Sequence, residues 1–259
     1  MSTHPNKPPR SGKPLAVTRG SAIEVRGHDV ATQLIGQVSL TELLLLELHG
    51  ELQSPQHVRV VDGILVAMAE HGITPSTLAA RLVLDGAPES LQGAVAAGLL
   101  AAGSRYLGAI EEAAYLLQEI VADAGDGELG EVAERVVRRL GAEGTRVPGV
   151  GHNLHADSDS RVTALVALAE REGVAGPHLQ ALDALHAAAT SVLGKDLILN
   201  AAGAVAALLS DLDYRPEDVR GFALVARSAG LFAHVVDERR HPVARGVWER
   251  LHETDGTAA

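Results

Sequence analysis

Residues 148–161 of this 259-residue chain are PGVGHNLHADSDSR, a polar, glycine-containing stretch within a largely apolar sequence. The stretch ends a predicted loop over 141–161, because glycine and clustered short polar residues interrupt helices. It carries His152 and Arg161, which can donate hydrogen bonds to oxygen atoms or bind an anion. The sequence thus predicts a functional loop between helices.

Apolar residues recur at helical spacing on both sides of this loop. Ser39-Leu40-Thr41-Glu42 has the pattern of a capping box, and Gly50 is placed to end the helix that follows. The segment 56–70 is predicted as a helix rather than a strand because the periodic stretch is long. Further helices are predicted over 76–84, 91–102, 109–122, 128–140, 162–172, from 177 onward, and over 200–212 and 216–229, with 231–240 continuing the last of these helical runs. No strand-length alternation recurs often enough for a sheet, so the predicted fold is all-α.

Composition narrows the classes of function. Hydrophobic residues make up 46% of the chain and aromatic residues only 2%, so Leu, Val, Ile and Ala must form the core. A net charge of −11 argues against general affinity for nucleic acid. The absence of cysteine excludes disulfides, thiolate metal sites and cysteine nucleophiles, and it is consistent with a reducing cytoplasm.

The N-terminal stretch MSTHPNKPPRSGKP is polar, basic and rich in proline. It lacks the apolar segment of a signal peptide, and no apolar run reaches the roughly 18 residues that span a bilayer. The interpretation is a disordered tail over 1–18 on a cytoplasmic protein that does not enter a membrane.

Two more polar clusters interrupt the apolar pattern. The first, Glu70-His71-Gly72-Ile73-Thr74-Pro75-Ser76-Thr77, joins a helix end to a helix start. The second is Arg227, which stands alone in an apolar helix. A lone histidine at a helix end is more often structural than ligand-binding. A buried guanidinium without a partner is costly, so Arg227 implies an anionic partner, either a protein carboxylate or a ligand.

The stretch at 148–161 resembles the citrate synthase signature, P-G-x-G-H followed by D-P-R, with Ser160 in place of the proline. AEHGITPST, LILNAAGAVAALL and LVARSAGLFAHVVDER resemble further family motifs, and the resemblance runs in the family's order from about Arg26 to about Pro242. The short length favours the citryl-CoA lyase branch of the superfamily.

This resemblance implies a homodimer, or a higher homo-oligomer, of two-domain helical subunits with shared sites for oxaloacetate and an acyl-CoA. The domains would be a large one over 19–107 and 213–259 and a small one over 108–212. By matching motifs, His71, His152, Arg161 and Arg227 take the oxaloacetate-binding positions, and the two histidines are also candidate catalytic residues. No metal is implied.

The sequence departs from the family at two catalytic positions. Tyr106 replaces the histidine that stabilises the thioester enol, next to Leu107 where the family has glycine, and a tyrosine hydroxyl can still donate to an oxyanion. Ala202 replaces the aspartate that moves the α-proton, and a methyl group cannot do so. Residues that could substitute are His155, Asp157, Glu111 and Glu112, although a solvated or structural role is the simpler interpretation for each.

The acyl-CoA site is less well defined by the motifs. The backbone around Val147, Gly149 and Gly151 could approach a nucleotide, since glycine permits close contact. No basic residue near 155–156 matches the arginine that binds the CoA phosphate in many relatives. Arg240 could supply a cation to a neighbouring subunit's site, but the run Arg239-Arg240-His241 is equally compatible with a solvated surface.

Two functions from different classes follow. The first is an enzyme that makes or breaks a carbon–carbon bond beside a 2-oxo acid carbonyl, acting on a hydroxy polycarboxylate or its CoA thioester. The second is a non-catalytic carboxylate-binding or regulatory homologue, which would keep the ligand-binding residues without the chemistry. A generic helical interaction domain is favoured only if the ordered motifs are coincidence.

Overall fold

The computed structural model describes residues 12–125, 127–151 and 158–256. Most of these residues are helical, which confirms the predicted all-α class. The helices are α1 Leu40–His49, α2 Pro55–Ala69, α3 Pro75–Gly86, α4 Leu91–Leu100, α5 Ser104–Ala124, α6 Leu129–Ala142, α7 Ser160–Glu172, α8 Pro177–Leu193, α9 Ala201–Asp211, α10 Pro216–Glu238 and α11 Ala244–Gly256.

The chain divides into two compact units, one up to residue 62 and one from residue 63 onward, with the boundary inside α2. This boundary differs from the predicted division into 19–107 with 213–259 and 108–212. That division stays a prediction. The two units are described separately below.

The first unit contains a small sheet that the sequence did not predict. Strands β1 Ala16–Arg19, β2 Ala22–Val25 and β3 His28–Asp29 form an antiparallel meander in the order β1-β2-β3. The strands have four residues or fewer, too short to show a repeated alternation of apolar and polar residues. The prediction that the chain lacks a sheet is therefore wrong for this segment.

The predicted tail over 1–18 is too long at its C-terminal end. Its last three residues belong to β1, where Ala16 pairs with Val25 and Thr18 with Ile23. Residues 1–11 lie outside the described residues, so the rest of the tail stays a prediction.

Local signals predicted most of the helix ends. Ser39 Oγ accepts the N–H of Glu42 and the Glu42 carboxylate accepts the N–H of Ser39, which confirms the capping box. Gly50 ends α1 in the left-handed conformation with φ +79°. Helix α5 begins at Ser104, five residues before the predicted start, because Gly108 is accommodated within the helix. The predicted helix over 216–229 continues into the following segment as expected, and the two form one helix, α10, which ends at Glu238.

The core of the second unit surrounds α9, in which Ala201 and every residue from 203 to 210 are buried. Helix α9 packs against α5, α7, α8 and α10. Helix α10 packs in turn against α3, α4 and α5. Its 23 residues would suffice to cross a membrane by length and composition, as is true of many core helices, but here they include buried Arg227 and Glu238.

The end of α9 also caps the start of α8. The Asp211 carboxylate accepts the backbone N–H groups of Gly176, His178 and Leu179 at 2.8–3.1 Å, and His178 Nδ1 lies 2.9 Å from its Oδ1. Asp211 therefore satisfies amides at a helix N-terminus that have no partner within the helix.

Helix α10 meets the end of α2 at a contact with no room for a side chain. A Cβ atom at Gly230 would lie 2.0 Å from the backbone oxygen of Ala69. Backbone atoms cannot withdraw as a flexible side chain can, so glycine is required here. This contact fixes the end of α2 against the middle of α10.

We expect Gly230→Ala to lower the free energy of unfolding by about 2 kcal/mol or more, because overpacking against backbone forces the helices apart. Gly221→Ala is the matched control on the same helix, since no atom lies within 4 Å of the added methyl group. The control should raise stability by about 0.5–1 kcal/mol through helix propensity. Urea denaturation of both variants makes the comparison, and equal effects would contradict the inferred contact.

Candidate functional site

The turn after α2 is held by the carboxylate of Glu70. Its Oε1 accepts the backbone N–H of His71 at 2.8 Å and that of Gly72 at 2.7 Å. The same oxygen lies 3.0 Å from His234 Nε2 on α10. His71 is thus a half-buried residue on a fixed turn that joins α2 to α3.

These contacts also set the charge of Glu70. Partial burial acts to raise its pKa, but the hydrogen bonds from His234 and from the backbone of His71 and Gly72 outweigh burial. The pKa of Glu70 therefore lies below the ordinary value of a glutamate, so the side chain is anionic at neutral pH.

Arg227 lies on α10, one turn before Gly230, and its relative exposure is only 7%. Its Nη1 is buried and has no hydrogen-bond partner among the described residues. Burial lowers the pKa of Arg227, the negative charge of Glu70 raises it, and the positive charge of Arg161 lowers it further. Since a guanidinium stays protonated in proteins, the site contains a buried cation whose Nη1 donors are not used by the part of the chain that the structure describes.

Arg161 lies in the first turn of α7 and is held by a neighbouring carboxylate. Asp159 Oδ1 accepts its Nε–H at 2.9 Å, and Asp159 Oδ2 accepts an Nη2–H at 2.7 Å. Asp159 Oδ2 also accepts the backbone N–H of Ala201 at 3.1 Å. One buried carboxylate therefore joins the starts of α7 and α9 and orients the Arg161 guanidinium.

Asp159 remains ionised because these partners favour its charged form. Burial acts to raise its pKa, but the hydrogen bonds and charge of Arg161, with the Ala201 N–H, lower the pKa to about 2. Glu70, which holds the turn at His71, and Arg161 each lie within electrostatic range of Arg227. The arrangement suits a small anion with more than one carboxylate, because two guanidiniums and an imidazole are brought to one region.

The loop before residue 152 is fastened to the start of α9. Gly151 N–H donates to the oxygen of Ile198 at 2.6 Å, and Asn200 binds the oxygens of Gly149 and Gly151. A Cβ atom at Gly149, where φ is +84°, would lie 2.9 Å from the Cα of Gly203. Glycine is needed for this approach to α9.

The predicted nucleotide-binding role of this loop meets a constraint. The Val147 side chain is buried, and the oxygens of Gly149 and Gly151 are already hydrogen-bonded within the protein. The role of all three residues in binding a cofactor stays a prediction. Among the described residues, no group of three or more His, Asp or Glu side chains is arranged to hold a metal ion.

Other predicted site residues are less enclosed. Tyr106 lies in the first turn of α5 and is 55% exposed, next to buried Leu107. Ala202 is the second residue of α9 and is half-buried. Arg240 follows the end of α10 and is exposed.

The remaining candidates are distributed differently. His152, His155 and Asp157 lie outside the described residues, so their roles stay predictions. Glu111 and Glu112 follow on α5, half-buried and exposed respectively.

Sequence reasoning missed two residues that organise the site. Asp159 stood within the signature stretch but was not assigned a role, because its partner Ala201 is remote in the chain. Arg81 is 3% exposed on α3 and donates hydrogen bonds to α10. Like Arg227, Arg81 is a lone arginine in an apolar helix. The same sequence pattern could therefore have identified Arg81.

Comparison with known proteins places these features in a family context. The family model described as citrate synthase, C-terminal domain, matches residues 15–247. The structure of citryl-CoA lyase from Hydrogenobacter thermophilus is 32% identical with a TM-score of 0.78, and the match covers 86% of this chain and 85% of that one.

More distant relatives are longer than this chain. The ATP citrate lyase of Methanothrix soehngenii, solved with citrate and coenzyme A, is 22% identical with a TM-score of 0.74, over 87% of this chain and 38% of that one. At this identity the likeness shows the fold alone. ATP-citrate synthase beta chain protein 2 of Arabidopsis thaliana is 28% identical over 74% of this chain. The chain spans about a third of that relative's length, since the match covers 33% of it.

We expect Asp159→Asn to destabilise the protein by about 2 kcal/mol at pH 7, because the depressed pKa of Asp159 is linked to folding. The contribution is fully present above the unfolded pKa near 3.8 and is lost as the pH falls toward 2. The difference between wild type and variant in urea denaturation should therefore be constant from pH 7 to 5 and shrink as the pH falls from about 4 toward 2. A difference that grows on acidification would contradict the assignment.

Proposed function

The chain belongs to the citrate synthase family, and from that premise we propose that it binds a hydroxy or 2-oxo polycarboxylate between Arg227, Arg161 and His71. We propose further that it acts with a CoA thioester as a carbon–carbon lyase or synthase of the citryl-CoA lyase type. The observation that carries the proposal is the buried guanidinium of Arg227, whose Nη1 has no hydrogen-bond partner among the described residues. A ligand carboxylate would accept that hydrogen bond and neutralise the charge.

The proposed binding of a polycarboxylate is supported by the charge and the hydrogen-bonding geometry of the site residues. Arg227 and Arg161 can each donate to a carboxylate through a planar guanidinium, and His71 can donate to a carbonyl or hydroxyl oxygen. Asp159 already occupies one edge of Arg161, so a ligand would use the remaining donors of that group. His152 is assigned a second hydrogen bond to the ligand by its place in the family signature.

The proposed use of a CoA thioester is supported by the proteins to which this chain is similar. One relative by sequence and fold is a citryl-CoA lyase, and a more distant one binds citrate and coenzyme A. The loop at Val147, Gly149 and Gly151 is the proposed contact for the nucleotide. Several backbone groups of this loop are already hydrogen-bonded within the protein. The loop would therefore contact the nucleotide mainly by van der Waals packing.

In cleavage, the hydroxyl proton of the citryl group leaves as its carbon becomes a carbonyl. The adjacent carbon–carbon bond breaks, and its electron pair enters the enolate of the acyl thioester. A proton must then return to the enolate carbon. His71 and His152 can handle the oxygen proton, and Tyr106 can donate a hydrogen bond to the enolate oxygen.

Ala202 shapes which donor the protein can use. A methyl group neither removes an α-proton from acetyl-CoA nor returns one. A malonyl-type donor avoids the removal step, because loss of carbon dioxide leaves its bonding electrons as the enolate. We therefore propose a preference over condensation with acetyl-CoA for one of two reactions. The first uses a malonyl-type donor, and the second is cleavage in which an acid other than residue 202 returns the proton to the enolate carbon, with Glu111 and Glu112 of α5 as candidates.

A non-catalytic carboxylate sensor is the second candidate. It is favoured by the same Ala202 together with the 55% exposure of Tyr106, which leaves the phenol partly in water. In either function we propose a homodimeric, cytoplasmic protein in which Arg240 of one subunit reaches the site of the other.

We expect Arg227→Met to weaken citrate binding about 10- to 100-fold, the effect of losing charge-assisted hydrogen bonds. The same variant should raise the free energy of unfolding without ligand by about 1 kcal/mol or more, because a buried unpaired charge is removed. Calorimetric titration with citrate and oxaloacetate measures binding, and urea denaturation measures stability.

Arg215→Met is the matched control for Arg227→Met. Arg215 immediately precedes α10 and forms exposed ion pairs with Glu217 and Asp218, so neither binding nor stability should change much. If wild-type protein binds neither citrate nor oxaloacetate, both candidate functions are wrong.

We expect Ala202→Asp to raise the rate of condensation of acetyl-CoA with oxaloacetate by about 10²–10⁴-fold, the usual effect of general acid–base catalysis. Ala202→Asn is the matched control, since it has the same shape without a transferable proton at neutral pH. Turnover of wild type and both variants is compared on acetyl-CoA, malonyl-CoA and citryl-CoA. Efficient wild-type use of acetyl-CoA would contradict the proposed preference, and tight citrate binding with no turnover of any thioester would favour the sensor.

A further inference from the structure

We propose that Arg81, His234 and Glu70 form a hydrogen-bonded relay that holds the His71 turn in its ligand-binding shape, with His234 as the positioning residue. The link to ligand binding rests on the proposed function. The relay itself rests only on the contacts described below.

The relay begins at a guanidinium whose three nitrogens all have hydrogen-bond partners. Arg81 on α3 is 3% exposed, and its Nε and Nη2 both approach His234 Nδ1, at 3.0 and 2.8 Å. Arginine only donates hydrogen bonds, so Nδ1 of His234 must be an acceptor without a proton. The proton of the neutral ring then lies on Nε2. The tautomer of His234 is therefore dictated by Arg81.

That proton is aimed at Glu70. His234 Nε2 lies 3.0 Å from Glu70 Oε1, the same oxygen that accepts the N–H groups of His71 and Gly72. Three donors thus converge on one oxygen, and two of them belong to the turn. Loss of the His234 donor would leave the carboxylate free to rotate away from the turn, since among the described residues Glu70 makes no other hydrogen bond to α10.

The other end of the network reaches the segment after α10. Arg81 Nη1 donates to Glu238 Oε2 at 2.6 Å, and Glu238 Oε1 accepts the N–H groups of Val243 and Ala244 at 2.8 Å. Arg81 Nη2 also donates to Asp237 at 2.8 Å. The residues around Arg240 are therefore fixed by the same buried guanidinium that sets the His234 ring.

A purely structural role of His234 would require a different ring nitrogen from the one that a positioning role requires. If the histidine serves only to satisfy Arg81, then the acceptor at Nδ1 matters and the donor at Nε2 does not. If it positions the turn, the donor at Nε2 is the part that matters. Two amide substitutions separate these functions, because Asn places its oxygen near the Nδ1 position and Gln places its amide nitrogen near the Nε2 position.

The test is amide hydrogen exchange on full-length His234→Gln and His234→Asn, without ligand, in the peptide that spans residues 69–74. Loss of one hydrogen bond should speed exchange at His71 and Gly72 about 5- to 10-fold in the Asn variant. The Gln variant should exchange within about twofold of wild type. Exchange in a peptide from α6, remote from the relay, corrects for any change in global stability.

Citrate titration of the same variants connects the relay to binding. The Asn variant should bind about 5- to 10-fold more weakly, and the Gln variant should bind as wild type does. Equal exchange rates in the two variants, or faster exchange in the Gln variant, overturn the relay.

If the His234→Gln and His234→Asn variants do not fold, Glu70→Gln provides the test, since this substitution leaves Arg81 and His234 unchanged. The neutral amide oxygen is a weaker acceptor, so the exchange at His71 and Gly72 should again quicken about fivefold, and unchanged exchange overturns the relay. If wild type binds no polycarboxylate, the proposed function fails while exchange still decides the relay. If citrate binds and the exchange rates do not differ, the relay fails and the function stands.

Discussion

The contact between Gly230 and the backbone oxygen of Ala69 is the constraint on which the candidate site depends. Since no Cβ atom fits between α10 and the end of α2, the two backbones meet at a fixed distance. That distance places the Glu70 carboxylate against His234, one turn further along α10, and within electrostatic range of Arg227, one turn earlier. The electrostatics of the site are therefore a consequence of backbone packing, and a single methyl group at residue 230 would disturb all of them.

Features whose causes are local in the chain were predictable from the sequence. The Ser39 capping box and the Gly50 helix end follow from residues three or four positions apart, and the length of the periodic segment decided α2. The small sheet was missed because strands of two to four residues carry no usable period. The start of α5 was missed because a helix tolerated Gly108, which the sequence pattern treats as a break.

The candidate site was predictable by its charged residues and not by their partners. A lone arginine in an apolar helix indicates a buried cation, and this pattern identifies Arg227. The identity of the partner depends on distant residues, as with Asp159, whose contact with Ala201 spans 42 positions. In the proposed function the sequence separates two properties, since Arg227 and Arg161 would determine affinity for the ligand, while Ala202 and Tyr106 would determine proton movement. A protein can lose the second property without losing the first.

The Asp211 carboxylate bears on the order in which the chain folds. It caps α8 from the far end of α9, more than thirty positions along the chain, so the first turn of α8 gains its acceptor only after α9 has docked. Closing a chain segment of that length has an entropic cost that precedes the gain. The N-terminal turn of α8 should therefore acquire its native hydrogen bonds late, with or after the collapse of the core around α9, while its C-terminal turns can form earlier. The cap formed by Asp211 thus couples the completion of the first turn of α8 to the docking of α9.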